Sequence, residues 1–140
     1  MYKLNYNGTN LYINSILPFK GYIAMILFGL ILYRKDYEFY LYDPLWFIRV
    51  MSTINHENIH IEQIKDFGLL FKWCKPLQLF IGGILFYLIY LFEWLIRLFI
   101  NGPSNAYKNI SFEKEAYRYE LDYEYIKKER KHFNQWRKSE

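Results

Sequence analysis

Hydrophobic positions along this chain fall into blocks divided by short polar breaks. The first fifteen residues are polar and Asn-rich, and Leu17-Pro18 follows, where proline disfavours helix at the preceding residue; the stretch reads as an extended lead-in. Tyr22 to Tyr33 is apolar, Arg34-Lys35-Asp36 is charged, and Tyr37 to Tyr42 is aromatic. Such apolar runs are too short for a transmembrane helix, so the pattern predicts a β-hairpin over Tyr22 to Tyr42 turning at the charged triplet. A buried helix is the other reading of a continuous apolar run.

Downstream, Ser52 or Thr53 can cap a helix that carries His56 and His60, and Gly68 can end it or merely loosen it. Lys75-Pro76 interrupts the chain at a position suited to the first turn of a new helix. From Leu77 to Ile100 only Gln78, Glu93 and Arg97 are polar, a length sufficient to cross a bilayer. Glu93 and Arg97, four apart, read as an ion pair on one helical face, and Gly82-Gly83 as a place where helices approach closely. A loop at Asn101 to Asn105 precedes an amphipathic, Gly- and Pro-free stretch from Ser111, predicted as a helix capped by Ser111. The expected fold is α+β, mainly α. It is one domain over 1–140, with a helical hairpin over about 52–100 and a C-terminal helix over about 111–133.

Composition narrows the chemistry. One cysteine, Cys74, excludes an intrachain disulfide and a cysteine-based zinc finger, so any metal must be held by His and carboxylate. A net charge of +4 suits nucleic acid or an anionic lipid surface. Glu120, Asp122, Glu124 and Glu129 interrupt the C-terminal basic residues, which disfavours a nucleic-acid stripe. The apolar stretch and the 22% aromatic content point instead to membrane association with lipid as a partner.

His56-Glu57-Asn58-Ile59-His60 is an H-E-x-x-H pentapeptide. On a helix the i, i+4 spacing sets two imidazoles on one face, within reach of a single Zn²⁺, and Glu57 stands where its carboxylate can act as general base. A third ligand is required. His132 is surrounded by cationic residues, which makes Glu113 and Glu115, in Phe112-Glu113-Lys114-Glu115-Ala116-Tyr117, the better candidates.

H-E-x-x-H followed on a later helix by E-x-x-A resembles the gluzincin zinc metallopeptidases, and the order of parts is similar to that of small bacterial membrane-associated proteins. The resemblance implies a minimal zincin-like domain with His56, His60 and Glu113 as ligands, Glu57 as general base, and a peptide or protein substrate. It also suggests Tyr22 to Tyr33 as an edge strand beside the metal, able to pair with an extended substrate; a buried structural strand is the other reading of that run. Tyr117 stands where many gluzincins have an Asp that supports a ligand histidine, so that support must come from another carboxylate or a carbonyl. Tyr107, Tyr117 and Tyr119 are candidates for donating to an oxyanion.

The metal constrains topology. A single span over Leu77 to Ile100 would put the histidines and Glu113 on opposite sides of a membrane, so that helix must run back antiparallel to the H-E-x-x-H helix, itself expected to continue to Lys75. The alternative function is a noncatalytic membrane or scaffold protein, with a structural metal or none.

Overall fold

The computed structural model describes residues 1–137 and is α+β, mainly helical. Strands β1 (Tyr2–Tyr6), β2 (Thr9–Asn14), β3 (Ala24–Leu27) and β4 (Leu30–Arg34) form one mixed sheet in the order β1-β2-β4-β3, with β2 and β4 parallel. Five helices follow: α1 (Phe47–Phe67), α2 (Lys75–Asn101), α3 (Pro103–Ala106), α4 (Ser111–Tyr119) and α5 (Tyr125–Lys128). The inner face of the sheet, with Leu11, Ile13, Ile26, Ile31 and Tyr33, shares a core with Val50, Ile54 and Ile64 of α1, Phe86 of α2 and Phe112 of α4.

The N-terminus is therefore a hairpin and not a lead-in. Leu4 and Tyr6 of β1, and Leu11 and Ile13 of β2, alternate toward the core, and the chain reverses at Asn7-Gly8, whose φ values of 46° and 84° match the twist of the flanking strands. The Tyr22 to Tyr42 hairpin also needs correction. Its reversal lies inside the apolar run, at Phe28-Gly29 with φ of 47° and 81°, so one run supplies both β3 and β4. Arg34 is not a turn residue: its guanidinium donates to the Pro18 carbonyl at 2.6 Å and to Asp36 at 2.7 Å, pinning the β2–β3 crossover. With both edges of β4 already paired, Lys35–Leu41 has no strand to join there and winds into a 3₁₀ helix instead.

Helix α1 begins upstream of the expected cap, and the Ser52 and Thr53 hydroxyls donate to the Arg49 carbonyl within it. It ends at Gly68 and does not continue to Lys75. A Cβ at Gly68 would lie 2.2 Å from the Gln78 carbonyl oxygen, so only glycine lets the two helices converge there. Helix α2 then returns along α1, with Gly82 seated against the Ile64 carbonyl.

The C-terminal helix is shorter than expected. Ser111 is its first helical residue and makes no side-chain cap; its backbone N–H and hydroxyl both donate to the Glu93 carboxylate of α2, at 2.9 and 2.6 Å. Glu93 thus satisfies the helix end from outside, while its contact with Arg97 is a longer 3.4 Å. The helix stops at Tyr119 because the Asn55 side-chain amide draws in the carbonyls of Tyr119, Glu120 and Asp122, at 3.0–3.1 Å. The chain then returns across α1.

Candidate metal centre

Helices α1 and α4 meet through Ile59 and Ala116, both fully buried, and the small alanine keeps the helices close. That contact sets Glu113 over the histidines. His56 Nε2 and His60 Nε2 are 3.2 Å apart, and each lies 3.3 Å from a different oxygen of the Glu113 carboxylate. All three side chains are buried.

The hydrogen bonds around this cluster settle where its protons sit. Gln63 Nε2 donates to the Phe112 carbonyl at 3.1 Å and to Glu115 at 2.8 Å, which fixes Gln63 Oε1 as the acceptor toward His60 Nδ1, 2.7 Å away. His56 Nδ1 faces Glu120 Oε2 at 3.1 Å, the carboxylate support whose position the sequence left open. In its neutral form each imidazole would carry hydrogen on Nδ1 and turn an Nε2 lone pair toward the other ring and toward Glu113. Glu113 Oε2 is buried without a hydrogen-bond partner.

Converging lone pairs with an anionic oxygen call for a cation. Two nitrogens bound tetrahedrally at about 2.0–2.1 Å from zinc stand about 3.3–3.4 Å apart, close to the spacing seen, and His₂Glu is a catalytic zinc donor set. Without a metal, a proton fills the role. Burial disfavours a charged His60, but Glu113, with Glu57 and Gln63, reverses this and lifts its pKa to about 9. Burial also works against a charged Glu113, and the adjoining imidazoles overcome it, holding the carboxyl well below its usual range.

Beside the His56–His60–Glu113 cluster lies a cavity of about 280 Å³, walled by β3 and by Phe19, Tyr22, Tyr87 and Tyr107, with Glu57, His60 and Glu113 at its polar end. Glu57 is buried there, and loss of hydration raises its pKa despite the nearby imidazoles and an Ile26 backbone hydrogen bond. Tyr90 donates to Glu113 Oε1 at 2.8 Å. Among the candidate tyrosines, Tyr107 lines the cavity, Tyr117 stands edge-on to His56 at 4.7 Å, and Tyr119 stacks on Tyr125, a residue bonded to Glu115. Burial and the Glu113 charge raise the Tyr107 pKa, so its hydroxyl stays a donor.

Glu115 and His132, the other candidate ligands, lie outside the cluster, in a network around the buried Arg130 that reaches His60 through Gln63. Glu115 accepts from Gln63, Tyr125 and Arg130, while Arg130 Nη2 and His132 Nδ1 meet Asp66 at 2.7 and 2.6 Å. Gln63, Glu120 and Tyr90 were not singled out from sequence; only Gln63, a helical turn beyond His60, carried a positional signal. No protein-family model matches the chain, and neither curated proteins nor solved structures give a match.

Proposed function

We propose that the protein is a membrane-associated zinc metallopeptidase of minimal gluzincin-like design, with His56, His60 and Glu113 holding Zn²⁺. The observation that carries this reading is the open cavity beside the ligand cluster with the Glu57 carboxylate on its wall. A structural metal site closes all four positions with protein, whereas a catalytic one leaves a position open. When bound, the metal supplies Lewis acidity toward a peptide carbonyl and toward water.

The chain's own residues account for the remaining steps. Glu57, with its pKa raised by burial, takes a proton from the attacking water and returns it to the leaving amine. Tyr107, protonated and in the cavity wall, donates to the oxygen that gains charge. Edge strand β3 offers a backbone for an extended substrate. The phase of its ladder, set by the Arg34 N–H to Ile23 carbonyl bond of 2.9 Å, turns the polar groups of Ala24 and Ile26 outward. Tyr87 donates to the Ile26 carbonyl at 3.0 Å, which leaves Ala24 as the pairing position. The aromatic and aliphatic lining favours apolar substrate side chains.

Zinc content and the Glu57→Gln variant test the proposal together. One zinc per chain, with cleavage of apolar peptides abolished by Glu57→Gln while zinc is retained, is the expected result. Protein that takes up no zinc at neutral pH sinks the metallopeptidase reading. Zinc binding with no cleavage by the parent chain would favour the noncatalytic scaffold with a structural metal.

A further inference from the structure

We infer that α2 lies in the plane of a membrane leaflet, as a one-sided anchor, and does not pass through the bilayer. The inference rests on the membrane association proposed above and specifies its geometry. Helix α2 is long and apolar enough to cross a membrane, yet only 17% of its most apolar window is buried in the protein. Every exposed position from Phe80 to Ile100 is Phe, Ile or Leu.

The polar side chains of the same helix point the other way. Gln78 donates to the Lys65 carbonyl, Tyr87 to the Ile26 carbonyl and Tyr90 to Glu113, while Glu93 receives Ser111. A helix that from Gln78 onward turns its polar groups to protein, and from Phe80 to Ile100 exposes only apolar side chains, is matched to hydrocarbon over that length. At its N-terminal end Trp73 is 77% exposed between exposed Lys72 and Lys75, residues suited to an anionic headgroup layer.

The direction follows from what is packed behind it. Helix α1 backs α2 from the Gln78–Lys65 contact to the Phe86–His60 ring contact, with centroids 5.9 Å apart, and the sheet backs α1. Were α2 perpendicular to the bilayer, α1 would be drawn in with the partly exposed Glu62 and Lys65, and so would a sheet with open edges at β1 and β3. Open strand edges and charged side chains are not left facing hydrocarbon. With α2 in plane, only its outer face enters lipid, and α1, the sheet and the catalytic cavity stay above. Tyr87 lines that cavity while Leu91, one turn along, is on the lipid face, so the site lies beside the leaflet surface.

Nitroxide depth measurements decide the matter. In a Cys74→Ser background, labels at Phe80→Cys, Ile84→Cys, Leu88→Cys, Leu95→Cys and Phe99→Cys are compared with a label at Lys65→Cys. The probe surface is vesicles of phosphatidylcholine and phosphatidylglycerol. The expected result is one common depth for all five, about 5–10 Å into the headgroup–acyl boundary, with Lys65→Cys in water. Depth that peaks at Leu88→Cys and falls toward both ends would mean a spanning helix and overturn the inference while leaving membrane association intact. A protein that does not bind vesicles, or whose five labels are shielded by a second copy, would overturn the lipid reading itself. Neither outcome depends on zinc or cleavage.

Discussion

Glu120 reaches His56 from the C-terminal end of the helix that carries Glu113, its Oε2 lying 3.1 Å from the His56 Nδ1. In the proposed metal site, one short helix and its C-cap residue would supply both a ligand and the support for a second ligand. Glu120→Ala removes the acceptor that orients the ring and is expected to weaken zinc binding by about 10–100-fold. Its side chain is partly solvated, so the fold should persist. A competition titration against a colorimetric chelator, with circular dichroism as control, reads both.

Metal uptake should depend on pH with a defined sign. In the metal-free protein His60 is raised from 6.5 to about 9, so the stability it contributes is complete below about pH 6.5 and is lost as pH climbs through 9. Zinc must displace that proton. Apparent affinity should thus rise with pH, by up to about tenfold per unit until His60 is deprotonated. Calorimetric titration in buffers of different ionisation enthalpy will show release of a proton at neutral pH; its absence would contradict the His60–Glu113 arrangement.

The α1–α2 contact distinguishes two adjacent glycines. A Cβ at Gly82 would stand 2.1 Å from the Ile64 carbonyl oxygen, part of a helix backbone that cannot yield, whereas at Gly83 the nearest atoms belong to the Phe28 ring. Gly82→Ala should cost about 2–3 kcal/mol and Gly83→Ala less, since a ring can turn aside. Denaturant midpoints in detergent, at constant m-value, will rank them.

Arg130 is the only cation in contact with the buried carboxylates of Glu115 and Asp66 among the described residues, apart from His132 when it is protonated. Arg130→Met leaves two acids without their guanidinium and should destabilise by about 3–5 kcal/mol. Because Glu115 also holds Gln63, and Gln63 holds His60, zinc affinity should fall with it. Thermal melts with and without zinc measure the two effects separately.

The local part of the site was readable from sequence. H-E-x-x-H spacing alone puts His56 and His60 on one helical face, as the helical repeat requires, whereas only the resemblance of E-x-x-A to the gluzincin motif favours Glu113 over Glu115. Long-range pairings were hidden. Glu120 and Gln63 gain their roles from tertiary packing of α4 on α1, which no spacing in the chain encodes. Asn7-Gly8 is a strong hairpin signal that was obscured by the polar composition around it. Phe28-Gly29 is harder to find, since Phe rarely accepts a positive φ and nothing breaks the apolar run. The C-terminal helix was overestimated because its stop signal, the Asn55 amide, sits far upstream.

The opposed faces of α2 share no residue between them, so the proposed anchoring and the proposed chemistry would rest on separate sets of side chains in one helix. Each can change without the other. Replacing Ile84, Leu88, Leu95 and Phe99 with Lys, Glu or Gln would leave Tyr87, Tyr90 and Glu93 at their bonds to β3 and α4. A water-soluble form of the protein is thus within reach by surface redesign alone, with the metal centre intact.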